Sequence, residues 1–399
     1  MDQLFFILSL CLKIFTLYFA GAAVFALFRR KKFRTALPQT RFAVIVAARN
    51  EEAVIADLVC SIQRQNYPAH LRDIYVIPNN CTDFTEAAAR SAGANIIHCI
   101  GPIRSKGDAL HEAFQHLRGC GYDAFVVFDA DNIAAPDYLA RMNDAVCAGA
   151  KVFKGRLKSA NPTEAVAGCY GLYNTCFDLI WNRPRAICGL SAKIVGTGFG
   201  FTEEVLEKMN GWNTSTIAED AEFAAQCANL GYRVWWVPEA VSYDEGPTDF
   251  FVSLRQRKRW CSGVMQVAKQ ELGRLWQTGV PRPMLRWDMT MFLLAPFSQA
   301  ISALLMAAGF LTSAAQGDAS SVVMIPAALG FYYISGILVG TFLSLVGGYG
   351  LRDMGGTIAL FPVFMATWLP LQVISLFRDT KKWTPIAHKG GRAIAGYRT

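Results

Sequence analysis

The sequence is poor in charge. Charged residues make up 18% of its 399 residues, against about 25% in an average soluble protein. It has no CxxC pair, no internal repeat and no low-complexity run. The missing CxxC argues against a zinc ribbon. Low charge with a hydrophobic fraction of 53% excludes a disordered chain, a fibrous chain and a polar nucleic-acid tail. The net charge of +8 is what cytoplasmic Lys and Arg give a membrane protein. A nucleic-acid binder would gather its basic residues with aromatics on one polar domain, so no nucleic-acid partner is expected. The 11 Cys are odd in number and scattered through a chain that is not a small secreted scaffold. They read as reduced, cytoplasmic and mostly buried.

Long apolar runs are present instead. Residues 4–28 are almost continuously apolar, and a membrane-crossing helix needs about 20 such residues. Arg29-Arg30-Lys31-Lys32 follows at once. Basic residues stay on the cytoplasmic side, so the N-terminus is expected outside and residue 29 onward inside. A cleaved signal peptide carries its charges before a shorter apolar run, so residues 1–28 read as an anchor, with Lys13 snorkelling. Beyond Pro283 three further segments appear, at about 289–313, 321–347 and 356–377, within a membrane or interfacial region spanning 286–377. The tail, 378–399, carries Lys381, Lys382, Lys389 and Arg392 and reads as cytoplasmic. Three crossings from a cytoplasmic domain would leave that tail outside. Either the charge bias fails or one segment is interfacial or re-entrant, and Pro362 and Pro370 make the last the weakest regular span.

Residues 36–282 differ in character. Phe42–Val46, Ile74–Ile77, Ile96–His98 and Ala124–Phe128 read as buried strands. They alternate with helices predicted over Glu51–Gln65, Thr85–Ala92 and Lys106–Leu117, where apolar residues recur three and four apart. That alternation predicts an α/β domain with a mostly parallel sheet covered on both faces. Ligands then bind beyond the carboxyl ends of the strands.

The strand ends carry the chemistry. Ala47-Ala48-Arg49-Asn50-Glu51-Glu52 follows the first strand. Its small residues let a flat ligand approach, while Asn50 and Glu51 also suit a helix cap. Asn79-Asn80-Cys81-Thr82-Asp83 follows the second, and its amides suit either a base edge or a capping turn. Asp129-Ala130-Asp131-Asn132 ends the fourth. Two carboxylates there are costly without a partner, and a divalent cation shared with substrate phosphates is a natural one. Glu219-Asp220 on its own reads as a solvated helix start. Gln256-Arg257-Lys258-Arg259-Trp260 joins a fixed cation, an amide and a large aromatic. That suits a pyrophosphate leaving group and a flat acceptor, and equally a basic helix lying on anionic lipid.

In their order, Asp129-x-Asp131, Glu219-Asp220 and Gln256-x-x-Arg259-Trp260 resemble the membrane-bound family 2 glycosyltransferases. They are most similar to the branch of hyaluronan, cellulose and poly-N-acetylglucosamine synthases, which also includes ceramide glucosyltransferase. Lys106-Gly107-Asp108-Ala109-Leu110, Gly196-Thr197-Gly198-Phe199 and Asp244-Glu245-Gly246-Pro247 add to the likeness. The chain departs from the pattern at Ala47, where the family usually has Pro, and at Asn79, where it usually has an Asp that contacts uracil.

The resemblance implies a GT-A fold, Rossmann-like and mostly parallel, in a cytoplasmic domain with transmembrane helices at the plasma membrane. It implies Mg²⁺ or Mn²⁺ held by Asp131, and a donor site of Ala47, Arg49, Glu51, Asn79, Asp83, Lys106, Asp129 and Asp131. Asp220 would be the general base of a one-step inverting transfer. Gly198, Glu219, Gln256, Arg259 and Trp260 would gate the acceptor and diphosphate. The expected donor is UDP-N-acetylglucosamine or UDP-glucose and the product a β-linked polysaccharide, with single-sugar transfer to a membrane lipid as the alternative. Dimerisation is left open. A transporter would need polar groups deep in the spans, and a silent binding module would have lost the carboxylates.

Overall fold

The structure is a computed structural model that describes residues 2–277, 282–317 and 319–380. Its strands are β1 (Phe42–Ala48), β2 (Arg72–Pro78), β3 (Asn95–Ile96), β4 (Ala124–Asp129), β5 (Asn132–Ala134), β6 (Val152–Ser159), β7 (Phe199–Thr202) and β8 (Val234–Asp244). They form one eight-stranded sheet in the order β3-β2-β1-β4-β7-β6-β8-β5. The helices are α1 (Asp2–Val24), α2 (Ile55–Gln63), α3 (Thr85–Ser91), α4 (Lys106–Leu117), α5 (Tyr138–Cys147), α6 (Ala165–Phe177), α7 (Arg183–Cys188), α8 (Glu203–Lys208), α9 (Glu219–Asn229), α10 (Phe250–Leu275), α11 (Pro283–Ala315), α12 (Ala319–Gly347), α13 (Gly355–Ala366) and α14 (Trp368–Phe377).

The sheet is built as the apolar runs dictate. Along β1 successive side chains serve opposite faces: Ala43 and Ile45 join one core, while Phe42, Val44 and Val46 join the other. This is the period-two alternation of a strand covered on both sides. α4 closes the first face with Ala109, Leu110, Ala113 and Phe114. α2 and α5 close the second with Ile55, Leu58, Val59, Leu139 and Met142. β1 pairs in parallel with β2 and β4, so their carboxyl ends open on one edge.

The sheet is more mixed than the alternation of strands and helices predicts. β7 lies antiparallel between β4 and β6, and β5 runs antiparallel to β8. Local boundaries differ as well. α2 starts at Ile55 rather than Glu51, because Asn50 adopts a left-handed backbone (φ 58°) and the Glu51 carbonyl closes a turn with the N–H of Val54 and Ile55. β3 covers Asn95–Ile96 only. The ten described cysteines are free thiols. Only Cys169, Cys227 and Cys261 are buried, so the expectation that most are buried fails.

Among the described residues four segments are long and apolar enough to cross a membrane: Leu8–Leu27, Pro283–Ala315, Val323–Gly347 and Gly355–Phe377. The last is broken at Thr367 into α13 and α14. Helical hydrogen bonds continue across it, from Thr367 N–H to the Val363 carbonyl and from Leu371 N–H to the Thr367 carbonyl, each at 3.2 Å. α13 also packs on α6. Phe361 and Phe364 share a core with Val166, Cys169, Tyr170 and Leu172. Arg257 of α10, fully buried, donates from Nη1 to the Phe364 carbonyl and Thr367 Oγ1, each at 2.7 Å, and so fixes the break. Elsewhere Asp288, near the start of α11, receives a buried fork from Arg185 of α7 (Nε at 3.0–3.1 Å, Nη2 at 2.8 Å). The hydroxyl of Tyr18 on α1 donates to the same carboxylate at 2.6 Å. Lys381, Lys382, Lys389 and Arg392 of the expected basic tail lie outside the described residues.

Candidate active site

Three chain segments meet beyond the carboxyl ends of β1, β2 and β4. Asp129 is the last residue of β4, in register with Ala47 of β1. Glu219 and Asp220 open α9. Between them runs the turn Gly196-Thr197-Gly198, where both glycines take positive φ (64° and 59°). At Gly198 a Cβ would also stand 2.9 Å from Ser242 Oγ, so only glycine fits that backbone.

Lys106 holds these segments together. It stands at the first position of α4, whose start is fixed by a reciprocal cap between Ser105 and Asp108. Its Nζ lies 2.5 Å from Asp129 Oδ1, 2.6 Å from the Gly196 carbonyl and 3.4 Å from Glu219 Oε1. Burial pulls the Lys106 ammonium down, but the charges of Asp129, Glu219 and Asp220 outweigh it and hold the group above its ordinary value. Burial raises Glu219 in turn, against the pull of Lys106. Gly196 N–H donates to Asp220 Oδ2 at 2.6 Å, and Asp129 N–H to Thr197 Oγ1 at 2.9 Å.

Asp131 is tied in from the other side. Asn132 Nδ2 donates to Asp131 Oδ1 at 3.1 Å and to Asp244 Oδ1 at 2.9 Å. Glu51 sits close enough to feel the same charges. Burial, then the repulsion of Asp131, Asp129, Asp83 and Glu245, pushes its carboxyl up to about 9. Asp244 is raised for like reasons, by burial and by Asp131 and Asp129. The edge of the sheet therefore carries excess negative charge, which a cation would relieve. Among the described residues no group of three or more His, Cys, Asp or Glu is placed to hold a metal by itself.

The remaining predicted donor residues line the same edge. Arg49 follows β1 and is half-buried. Burial works to raise the Asp83 carboxyl, but the Thr85 hydroxyl at 2.5 Å and the N–H groups of Glu52 and Thr85 hold it below its ordinary value. Asn50 and Glu51 do not cap α2: Asn50 Oδ1 accepts from Thr82 N–H, and Glu51 N–H donates to Thr85 Oγ1. Asn79 folds its amide back, with Nδ2 donating to the carbonyls of Ala48 (3.0 Å) and Ile77 (3.4 Å).

Gln256, Arg259 and Trp260 lie on α10. Trp260 meets the Tyr170 ring edge-on at 5.7 Å and stacks near Trp368 at 6.4 Å. Gln256 Oε1 is buried without a hydrogen-bond partner among the described residues. No hydrogen bond joins these three to Asp129 or Asp220 among the described residues.

Sequence reasoning assigned no role to Asn132, Thr197, Lys154, Lys193 or Arg257. Lys154, on β6, is pushed down to about 8 by burial. Lys193 is also pushed down to about 8 by burial, against the pull of Asp220. Its ammonium lies 4.1 Å from the Phe177 ring, with Phe292 and Tyr173 at 5.7 and 5.9 Å. Only a pattern of polar residues placed where a core is expected hints at these in the sequence.

Residues 38–263 match the family described as glycosyltransferase like family 2. The chain belongs to that family. A Bacillus subtilis (strain 168) relative described as the probable glycosyltransferase YdaM is 29% identical over 251 residues, covering 59% of this chain and 58% of the relative. A β-monoglucosyldiacylglycerol synthase of Nostoc sp. (strain PCC 7120) is 26% identical over 305 residues, covering 70% of this chain and 60% of the relative. This family 2 chain thus spans little more than half the length of these curated relatives. The mannosyltransferase PcManGT from Pyrobaculum calidifontis, solved with GDP-Man and Mn²⁺, superposes with a TM-score of 0.67 at 19% identity, over 94% of this chain and 99% of that one. At that identity the likeness is one of fold, and the fold is GT-A.

Proposed function

We propose that this family 2 glycosyltransferase moves a sugar from a UDP-sugar, UDP-glucose or UDP-N-acetylglucosamine, to a hydroxyl presented at the membrane surface. The observation that carries this is the network in which one turn, Gly196–Gly198, binds both the DxD strand end and Asp220. A sugar or glycerol hydroxyl is a poor nucleophile, so a positioned carboxylate is needed to take its proton. Asp220 fills that role, and direct attack at the anomeric carbon inverts an α-linked donor to a β-linked product. Asp131 would hold Mg²⁺ or Mn²⁺, and Asp129, which Lys106 engages, would meet the nucleotide or donor sugar. When bound, the cation supplies charge stabilisation for the leaving diphosphate. Ala47, Arg49, Glu51, Asn79, Asp83 and Lys106 form the donor wall. Gln256, Arg259 and Trp260, with Gly198 and Glu219, close over diphosphate and acceptor.

A lipid hydroxyl is the acceptor we favour. Relatives named β-monoglucosyldiacylglycerol synthases support it. Extension of a β-linked polysaccharide is the second reading, favoured by the ordered DxD, ED and QxxRW set. Both readings place the domain on the cytoplasmic side, next to Arg29–Lys32. If α11 and α12 cross and α13–α14 lies along the interface, the chain at residue 378 is back on the domain's side.

The test is a donor screen on detergent-purified protein with Mg²⁺ or Mn²⁺, using UDP-glucose, UDP-N-acetylglucosamine, UDP-galactose and GDP-mannose, with and without lipid extract. Diphosphate release only with lipid, yielding a one-sugar glycolipid, supports the lipid reading. A high-mass, glycosidase-sensitive product supports the polymer. Silence with every donor would overturn both.

A further inference from the structure

The acid pair at the end of β4 is supported by two buried neutral side chains. Asn132 is wholly buried and Thr197 nearly so. Four hydrogen bonds run through them in one direction. Asp129 N–H donates to Thr197 Oγ1 at 2.9 Å. That oxygen then gives its own hydrogen to Asn132 Oδ1 at 3.0 Å. With its oxygen so engaged, the amide must turn its two N–H groups to Asp131 Oδ1 (3.1 Å) and Asp244 Oδ1 (2.9 Å). The flipped amide would aim its oxygen at the Asp131 and Asp244 carboxylates, so these two acids favour the orientation seen.

We propose that Thr197 and Asn132 are positioning residues for the donor site. Thr197 sets the Asn132 amide, and the amide sets the Asp131 carboxylate. One hydroxyl thereby couples the backbone of the first DxD acid to the side chain of the second. It sits on the turn whose preceding residue, Gly196, binds Asp220, so the donor carboxylates and the proposed base share one support. Side chains that orient ligating carboxylates in this way govern metal affinity without touching the ion. The proposal rests on the assignment of Asp131 as the cation's carboxylate.

The test compares Thr197→Val, which keeps the shape and deletes the hydroxyl, with Thr197→Ser, which keeps the hydroxyl. Three quantities are measured on the full chain in detergent: binding of Mn²⁺ with UDP or GDP, read from the free Mn²⁺ spin-resonance signal; the unfolding temperature without metal; and turnover. Thr197→Val is expected to weaken Mn²⁺–nucleotide binding by about 10–100-fold, while Thr197→Ser stays near wild type. Thr197→Ala replaces the valine variant if that does not fold. A valine variant that unfolds earlier yet binds Mn²⁺–nucleotide like wild type would overturn the proposal, as would a serine variant equally impaired. Wild-type protein that binds neither Mn²⁺–UDP nor Mn²⁺–GDP would sink the donor site itself, and the relay with it.

Discussion

Gly196 gives its N–H to Asp220 Oδ2 at 2.6 Å, and the same residue's carbonyl receives Lys106 Nζ at 2.6 Å. The proposed base and the lysine that meets Asp129 are thus held by the two sides of one residue. A shift of this turn moves both.

Asp220→Asn keeps an oxygen that accepts from Gly196 but removes the proton acceptor. Turnover is expected to fall by about 10²–10⁴-fold, with nucleotide affinity unchanged. Transfer assays and calorimetric nucleotide binding on the same preparation check this. Near wild-type turnover would remove Asp220 from the role of base.

Lys106→Met deletes the ammonium shared by Asp129, Glu219 and Gly196. The loss of charged hydrogen bonds is expected to cut turnover by about tenfold or more. Mn²⁺ binding should tighten, because the nearby carboxylates lose their internal cation. If turnover holds and Mn²⁺ affinity is unmoved, the lysine is only a strut.

Glu51 binds its proton in the folded protein up to about pH 9, against 4.5 in the unfolded chain. Its contribution to stability is complete below pH 4.5 and is lost as pH rises toward 9. The slope for one full proton is about 1.4 kcal/mol per pH unit, an upper limit for this half-buried group. Metal-free wild type should therefore lose thermal stability more steeply than Glu51→Gln across that window. Parallel melting curves would show that another group carries the dependence.

Arg257→Met strips the Phe364 carbonyl and Thr367 Oγ1 of their shared donor. Stability in detergent is expected to fall by about 1–3 kcal/mol, with Arg257→Lys between. Limited proteolysis should find the Thr367 break first. Equal stability and an uncut break would assign the α13–α14 bend to its prolines alone.

Much of the domain was legible in the sequence because its signals are local. Lys106–Leu117 shows its apolar spacing and its Ser105–Asp108 cap within a few residues, and the structure reproduces that helix end for end. β1 and β4 are short apolar runs of buried residues. β6 was not legible, since Lys154, Arg156 and Lys158 interrupt its pattern. β8 was hidden by Pro238 within the strand. The start of α2 was misread because the left-handed Asn50 leaves no mark on periodicity. At the site, Asp129, Asp131 and Asp220 stand in a recognisable order. Thr197 and Arg257 act through partners 65 to 110 residues away, and Asn132 ties Asp131 to Asp244, 112 residues on; spacing along the chain carries no trace of such contacts.

The fork from Arg185 to Asp288 has a practical corollary. Arg185 belongs to the sugar-transfer domain, and Asp288 arrives only with the apolar helix that follows it. A truncated, water-soluble catalytic fragment ending before Pro283 would keep the arginine in its apolar setting beneath Trp181 and lose the carboxylate that answers it. The apolar helix α11 therefore completes the domain's own charge pairing, and a fragment cut before Pro283 is expected to be less stable than the longer chain.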